Sequence, residues 1–483
     1  MSISRLLCLT LLALCSSLNA QPATAELPKI LLLGEADALS QVPGVAQRLK
    51  GKAVVTGAET EGLQETLRRE KPAVVHFQGR PNTSEAILRD ILAQIRREPA
   101  TAFVYAVAGE DTGAIAVMHS EGVPVHDLRG LDEGRVADAV ADCVMRHWLV
   151  HLHSKPGPAR ATGPEAAAKY RADEAAHDAE VPEMYKKLPI GKLTLPGNAA
   201  AWQKQRPEVL RIVQNSLGDI PPRPAKAATR VVSRELRRGY TLERVSIDNG
   251  EGNDISALVL IPEKREQPAP AVLWLHSSTP DKNGLITPGA EPESIGEALV
   301  RQGYVVMAPD AWYYGDRAEN VPSGPRDVYH RGVAPYAQVT QDSLLKLNLW
   351  LGRTLWGMMV RDDQIALDYL CQRPEVDAKR IGATGMSMGS TRSWWLAAVD
   401  ERVAAVVGVA CLTRYENLIR HGNLKAHGLY YFSYGLLKHF DTEGVLALIA
   451  PRPFLALTGD IDYGSPVDGI RVLEEKVGAV YRT

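Results

Sequence analysis

The sequence feature that most constrains the fold is the segment 380–398, "RIGATGMSMGSTRSWWLAA". It begins as an apolar run, breaks at Gly385, and continues after Gly389 with the residues of a buried helix. A strand-like run joined to a helix by so few residues requires a sharp turn, and glycine permits close backbone packing there. The segment therefore predicts a sheet whose strands alternate with helices on its faces.

The rest of residues 181–483 repeats this alternation. Strand-like runs are "YTLERVSID", "DISALVLIP", "PAVLWLH", "YVVMAPD", "RVAAVVGVA" and "PRPFLALTG", and helical patterns such as "SIGEALVRQ" lie among them. The first two runs flank a glycine-containing turn, which predicts a hairpin. Residues 342–371 are mostly helical, with a predicted break near Gly352 or Gly357. The whole pattern predicts a doubly wound, mostly parallel sheet.

Residues 27–152 predict a smaller α/β domain of their own. "KILLLGEAD", "PAVVHFQG" and "ATAFVYAVAGE" are short apolar runs that reach glycine, and "SEAILRDILAQIRRE" has the periodicity of a helix. Residues 153–180 are polar and rich in alanine, proline and glycine, which predicts a linker. We therefore expect two α/β units, 27–152 and 181–483, in this chain of 483 residues.

The first twenty residues have the composition of a secretory signal peptide. A lone Arg5 precedes an apolar stretch over residues 6–14, and small and polar residues lead to Ala20. The stretch is too short to span a bilayer. We expect cleavage of residues 1–20, a secreted or periplasmic protein, and no membrane association afterwards. The remaining cysteines, Cys143, Cys371 and Cys411, are expected to be free and mostly buried thiols.

Charge and motifs exclude several classes of function. The formal net charge is -2, so the chain has no electrostatic footprint for nucleic acid, and basic residues such as Arg234, Arg237 and Arg238 are expected on solvated faces. The sequence contains no C-x-x-C, no H-E-x-x-H and no P-loop lysine. We therefore expect no cofactor and no metal.

The segment Gly385-Met386-Ser387-Met388-Gly389 fits G-x-S-x-G. In a strand-turn-helix context this pattern indicates a nucleophile elbow, in which a strained turn exposes the serine hydroxyl above the sheet. Ser387 is then the nucleophile, and the Met388 amide at the helix start donates to an oxyanion. The alternative is a glycine-rich turn in which the serine only caps the helix.

An acyl-transfer site needs a second oxyanion donor and an acid. The loop after "AVLWL" offers the Ser278 amide as the donor, while His276 in the same loop is expected to anchor it, with substrate contact as a tentative role. The turn after "FLALTG" offers Asp460 and Asp462 as acids. Asp462 lies farther into the loop and is preferred, whereas Asp460 is expected to brace the turn.

These residues lie in a region that resembles a known family. Residues 349–418, which include "RIGATGMSMGSTRSWWLAAVDERVAAVVGVACLTRYENL", and "IAPRPFLALTGDIDYGSP" resemble secreted bacterial α/β-hydrolases of the acetyl xylan esterase and dienelactone hydrolase-like group. The resemblance extends from about Trp202 to the end, and it implies Ser387 as nucleophile and Asp462 as acid. It also implies a loop beginning "HG" at the oxyanion strand, where this chain has Ser277. Dienelactone hydrolases proper use cysteine as nucleophile, so serine points to ordinary esters.

The N-terminal unit resembles SGNH hydrolases in degraded form. The blocks that carry the resemblance are "PKILLLGEAD", "VVHFQGRPN" and "GAIAVMHSEGVPVHDLRGL". The G-D-S block of that family would fall on Gly34, Glu35 and Ala36, where alanine cannot attack an ester. The resemblance therefore implies a domain kept for packing or binding, and the alternative is an unrelated flavodoxin-like layer.

The catalytic base is missing from its expected place. In this fold the histidine follows the acid, yet the sequence has no histidine after His439. We expect a C-terminally truncated sequence whose final strand and base lie beyond Thr483. The less favoured alternative uses His421, His427 or His439, in an insert expected to roof the pocket.

The same insert contains candidates for substrate recognition. Arg414, Tyr415 and Tyr430 could bind a polar ligand or pack within the insert, and both alternatives remain open. The function predicted from the whole sequence is a serine carboxylester hydrolase that acts on a small-molecule or polysaccharide ester such as acetylated xylan. The alternatives are a prolyl oligopeptidase-like peptidase and a noncatalytic glycan-binding pseudo-esterase.

Overall fold

The computed structural model describes residues 27–34, 39–50, 53–78, 83–97, 101–108, 111–153, 165, 168–169, 171–173, 180–278, 281–288, 293–318 and 341–482. The predicted signal peptide, most of the predicted linker, and Glu35 and Ala36 of the SGNH-like block lie outside these residues. Among the described helices, none combines the length and the apolar character that crossing a membrane requires.

The N-terminal part forms a parallel layer of five strands. Its strands are β1 (Lys29–Gly34), β2 (Val54–Ala58), β3 (Val74–Gln78), β4 (Ala102–Val107) and β5 (Val125–Asp127), and its helices are α1 (Val42–Arg48), α2 (Leu63–Glu70), α3 (Glu85–Ile95), α4 (Thr112–Ser120) and α5 (Glu133–His153). The strand order is β2-β1-β3-β4-β5, which is the order of flavodoxin-like doubly wound sheets. The SGNH-like interpretation of this unit stays a prediction.

The second part contributes eight strands and nine described α-helices. The strands are β6 (Thr229–Arg237), β7 (Tyr240–Ile247), β8 (Ile255–Pro262), β9 (Ala269–Leu275), β10 (Val305–Pro309), β11 (Val376–Met386), β12 (Val403–Val409) and β13 (Phe454–Leu457). The helices are α6 (Glu183–Lys186), α7 (Ala199–Ser216), α8 (Ile295–Arg301), α9 (Gln341–Trp350), α10 (Leu355–Gln372), α11 (Met388–Val399), α12 (Tyr415–Arg420), α13 (Thr442–Ala447) and α14 (Val467–Tyr481).

The strand pairing confirms the predicted fold class. Strands β7 and β8 form the predicted antiparallel hairpin, and β9 to β13 are parallel to one another in the order β13-β12-β11-β9-β10. The predicted helical break lies at residues 351–354, between α9 and α10. There the Thr354 hydroxyl accepts from the Gly357 N–H at 2.9 Å and caps α10. The chain therefore has a large, mostly parallel α/β sheet covered by helices.

The two parts share one continuous sheet of 13 strands. They meet where β5 pairs with β6 in an antiparallel ladder, with His126 opposite Glu235. The sequence did not predict this junction, since β6 carries the charged residues that were expected on solvated faces. That expectation is wrong for Arg237, whose side chain is mostly buried and donates to Glu235 at 2.8 Å. Glu235 is fully buried, and so it requires a cationic partner.

Candidate active site

Ser387 lies at the turn between β11 and α11. Its φ of 55° and ψ of -119° belong to a region that residues with a Cβ rarely adopt. The Ser387 N–H donates to the Val409 carbonyl of the neighbouring strand at 2.8 Å, which fixes the turn to the sheet. The side chain is half-buried. The geometry is that of a strained strand-to-helix turn at the carboxyl edge of the sheet.

The two glycines of the turn allow the helix to pack directly against strand β9. A Cβ on Gly389 would overlap the Leu275 carbonyl oxygen, and a Cβ on Gly385 would overlap the same atom. Neither position therefore has room for a side chain. Because β9 pairs with β11 through Leu275 and Gly385, the loop that continues from β9 starts beside Ser387.

The Ser278 and Met388 amides belong to the two elements that meet at this turn. Ser278 is half-buried, three residues past the end of β9. Met388 is the first residue of α11, so its N–H has no carbonyl one turn earlier to bond within the helix. Both backbones thus border the edge where the Ser387 hydroxyl lies, and their role as oxyanion donors stays a prediction.

Cys411 is a neighbour of Ser387 that the sequence analysis did not identify. Its Sγ lies 3.6 Å from Ser387 Oγ, and it follows β12, the strand next to the one that carries the serine. Ala410 and Cys411 have φ values of 59° and 52°, so a second strained turn borders the site. The position of Cys411 just past the end of a parallel strand is the sequence signal that could have indicated it.

The loop of Asp462 lies at the same sheet edge. It follows β13, which is separated from β11 only by β12. Asp462 is half-buried, and its carboxylate accepts from the Gly464 N–H at 2.9 Å. The loop is tied to the β12 side, because the Thr413 hydroxyl donates to the Gly464 carbonyl at 2.8 Å. Asp460, in contrast, is exposed and pairs with Arg171 at 3.3 Å.

His276 is an anchor between two loops. Its Nε2 accepts from the Ala311 N–H at 2.9 Å, and its Nδ1 lies 2.6 Å from the Ser277 carbonyl, to which it donates. Burial, together with the nearby Arg392 guanidinium, lowers the pKa of His276 well below its ordinary value. The neutral ring has both nitrogens engaged with backbone groups and is fully buried. The geometry favours the anchoring role, and substrate contact stays a prediction.

A buried ion pair holds α11 beneath the turn. The Arg392 guanidinium donates to both carboxylate oxygens of Asp363 on α10, at 2.5 and 3.0 Å, and each side chain is 1% exposed. Tyr314 packs edge-on against His276 with ring centroids 5.1 Å apart. The ion pair thus ties α11 to α10, and the ring contact ties the loop after β9 to the loop after β10.

The three histidines of the insert lie in different surroundings. His427 Nε2 donates to the Gly464 carbonyl at 2.8 Å, and the ring stacks on Tyr431 with centroids 4.1 Å apart. Burial lowers the pKa of His427, against the opposing influences of the Gly464 carbonyl and Asp462. His421 instead contacts Asp468 at 3.2 Å, and His439 is exposed. Of the three, His427 is the one at the acid loop.

The predicted substrate-binding residues of the insert have internal partners. Arg414 donates to Glu416 and Asn417 at 2.6 and 2.7 Å, and the Tyr415 N–H donates to Asp441. Tyr430 is buried in an aromatic cluster with Trp356, Tyr431 and Tyr415. These contacts support packing of the insert, and a role in substrate binding stays a prediction.

Comparison with known proteins bears on the same region. Residues 255–426, which contain the strained turn, match the dienelactone hydrolase family. "Putative hydrolase YtaP" of Bacillus subtilis (strain 168) is 36% identical over 273 residues, which cover 55% of this chain and 84% of that protein.

The chain belongs to the dienelactone hydrolase family.

Two solved structures have a more distant likeness. A glucuronoyl esterase from Solibacter usitatus has a TM-score of 0.45 at 21% identity, covering 63% of this chain and 87% of that one. A protein described as a putative acetyl xylan esterase from Bacteroides fragilis NCTC 9343 has the same TM-score and identity, covering 65% and 78%. As a member of the dienelactone hydrolase family, the protein is an α/β-hydrolase-type enzyme. Its large, mostly parallel sheet agrees with this assignment.

Proposed function

We propose that the protein is a serine carboxylester hydrolase that works through an acyl-enzyme on Ser387. The observation that carries the proposal is the backbone of Ser387, held at a φ of 55° between a parallel strand and a helix. Strain of this kind is concentrated at functional positions, and the turn lifts the hydroxyl above the sheet edge. The Asp462 loop at the same edge supports the assignment of an acid.

In the proposed reaction Ser387 Oγ attacks the ester carbonyl carbon, and its proton passes to a base. The N–H groups of Met388 and Ser278 donate to the oxyanion. The carbon–oxygen bond to the alcohol then breaks, and the alcohol leaves with the proton from the base. Water, deprotonated by the same base, attacks the acyl carbon, releases the carboxylic acid and restores the serine.

The proposed role of Asp462 is to accept the N–H of the base and hold its orientation. The proposal assigns no residue of this chain to the base. His427 is tested directly by comparing His427→Gln with His421→Gln as a matched control. A loss of roughly 1000-fold or more in kcat/KM for His427→Gln alone identifies it as the base. Equal activities place the base elsewhere.

A fluorophosphonate probe tests the nucleophile. We expect labelling at Ser387 of the protein that carries the catalytic base, found by peptide mass analysis, and no labelling of its Ser387→Ala variant. Cys411→Ala is the second control, because the Cys411 thiol lies 3.6 Å from the serine hydroxyl. This variant should still be labelled at Ser387. Labelling that persists in Ser387→Ala, or ester hydrolysis catalysed by that variant, contradicts the proposal.

The proposed substrate is a carbohydrate ester such as acetylated xylan, on the basis of the sequence resemblance. Acetate release from acetylated xylan is compared with cleavage of a chromogenic aryl acetate and of a prolyl anilide. Hydrolysis of both esters with no anilide cleavage supports the proposal. Preferential anilide cleavage supports the peptidase alternative, and retention on a xylan column without hydrolysis supports the glycan-binding one.

The proposed site of action is outside the cytoplasm, as residues 1–20 predict. Expression of the printed sequence in a Gram-negative host, followed by fractionation and N-terminal sequencing, tests this point. We expect recovery from the periplasm with a new N-terminus after Ala20. Recovery of an uncleaved chain in the cytoplasm contradicts it.

A further inference from the structure

A row of polar side chains crosses one face of the sheet where the two parts of the chain meet. His76 lies on β3 and His126 on β5, with β4 between them. The residue of β4 that pairs with His126 is Ala106, which has a small side chain. Glu235 on β6 is the direct partner of His126 in the next ladder. Helix α5 covers these strands and places Cys143 and His147 one turn apart on the same helix face.

The side chains of this row are close enough to share one ion. One nitrogen of His76, one nitrogen of His126 and Cys143 Sγ all lie within 4.8 Å of one another. Cys143, His147 and Glu235 form a second set within the same distance. His76, His126 and Cys143 are at most 3% exposed. Two imidazoles and a thiol are the donor types that zinc prefers.

The hydrogen bonding of His126 leaves one nitrogen without a partner. His126 Nδ1 lies 2.9 Å from His76 Nε2, so one ring donates to the other. His126 Nε2 is buried and has no hydrogen-bond partner within the described part of the chain. If Nδ1 carries the proton, Nε2 presents a lone pair to the row, which is what a metal ion requires.

Glu235 is committed to other partners and acts as a nearby negative charge rather than as a ligand. Its Oε1 accepts from Arg146 at 2.5 and 3.1 Å, and its Oε2 accepts from Arg237 at 2.8 and 3.1 Å. His147 Nε2 contacts Oε2 at 3.3 Å. A tetrahedral zinc site has four ligands. Among these groups, the candidate for the fourth ligand is His147, provided that its ring turns away from Glu235.

We propose that His76, His126 and Cys143 bind one Zn²⁺ ion at the junction of the two parts. On binding, the Cys143 thiol loses its proton to solvent and a zinc–thiolate bond forms. His126 donates the lone pair of Nε2, and His76 exchanges its hydrogen bond with His126 for a bond to the ion. Because a zinc-bound cysteine is a thiolate, the ion must displace the thiol proton, and the affinity must increase with pH. The ion would link β3, β5 and α5, and the inference is independent of the proposed hydrolase function.

Cobalt is the probe for this site because a cobalt–thiolate bond absorbs in the near ultraviolet. The full chain is reduced, stripped with a chelator and titrated with Co²⁺ and then with Zn²⁺. We expect the charge-transfer band to saturate at one equivalent of Co²⁺, to disappear on addition of Zn²⁺, and to require more metal at lower pH. Absence of the band in the reduced wild-type protein overturns the proposal without any variant.

Variants locate the ion. Cys143→Ala and His126→Gln are expected to lose the band, whereas Cys371→Ser, which removes a half-buried free thiol on α10, is expected to keep it. Zn²⁺ should raise the Tm of the wild-type protein and of Cys371→Ser, but not that of a folded Cys143→Ala. A band that persists in Cys143→Ala assigns the metal to another thiol and overturns the proposal. If Cys143→Ala does not fold, His126→Gln decides in the same way.

Discussion

At the scale of single residues, the function proposed for Ser387 opposes the stability of its turn. A residue with a Cβ at a φ of 55° and a ψ of -119° carries strain of about 1–3 kcal/mol. Glycine adopts positive φ without that cost, although it loses more entropy on folding. The turn would therefore be more stable with glycine at this position, and the proposed function gives the hydroxyl as the reason to retain serine.

The strain at Ser387 predicts a difference in stability between two variants. Ser387→Gly should have a free energy of unfolding about 1 kcal/mol higher than that of Ser387→Ala, because only alanine keeps the strained Cβ. Urea denaturation followed by circular dichroism measures the difference. Equal stabilities of the two variants would show that the turn is not strained.

Alanine substitutions at two glycines of residues 380–398 should have different effects on stability. Gly389→Ala should destabilise the protein by about 2–4 kcal/mol, because its Cβ would overlap the Leu275 carbonyl oxygen of β9. In Gly382→Ala the new Cβ meets only the Ala405 carbonyl oxygen at 3.5 Å, an ordinary contact, and stability should change by no more than about 0.5 kcal/mol. Thermal unfolding of the two variants checks the contrast, and a mild effect at Gly389 contradicts the packing described here.

At the scale of elements, α14 is tied to α12 at its first turn. Asp468 accepts from Asn417 at 2.7 Å and contacts His421 at 3.2 Å. The hydrogen bond with His421 is the main cause that lowers the pKa of Asp468 to about 2, and Asn417 and the Gly469 N–H add to it. The first turn of α14 thus carries a carboxylate whose charged form is stabilised by these contacts.

A pH-dependent prediction follows for this contact. Since the folded-state pKa is below the ordinary value of 3.8, the contribution to stability is complete above about pH 4 and is lost as the pH falls toward about 2. The side chain is 58% exposed, so Asp468→Asn should cost only about 0.5–1 kcal/mol at neutral pH. The cost should vanish near pH 2 in denaturant titrations. A cost that is independent of pH would refute the assignment, and His421→Gln should reduce the cost in a double-mutant cycle.

At the scale of the whole molecule, the two parts of the chain are joined by a sheet and by a buried charge. The ladder between β5 and β6 continues the sheet across the junction. Glu235 is fully buried there, between Arg146 of the first part and Arg237 of the second. Removal of one partner from such a cluster leaves buried charges without compensation.

Glu235→Ala should therefore destabilise the protein by about 3–5 kcal/mol and should uncouple the unfolding of the two parts. Differential scanning calorimetry is expected to show one transition for the wild-type protein and two for the variant. Glu266→Ala, which removes an exposed partner of Arg380, should leave a single transition with a change below about 1 kcal/mol. A single unshifted transition in Glu235→Ala would mean that the junction contributes little to cohesion.

The sequence by itself determined the periodic features of this protein. Alternating apolar runs and amphipathic segments predicted the parallel strands and their helices, since hydrophobic periodicity is a local property of the chain. The spacing of Gly385, Ser387 and Gly389 predicted the turn for the same reason, because only a few adjacent residues decide its backbone.

Only the tertiary structure decided which distant residues meet. Cys411 lies beside Ser387 because β12 is the neighbour of β11, and strand order is not encoded in the period of either strand. Arg237 is mostly buried because β6 joins the strands of the first part, although its charge predicts exposure. The row of His76, His126 and Cys143 exists for the same reason, since strand pairing and the packing of α5 on the sheet bring together residues that are far apart in sequence.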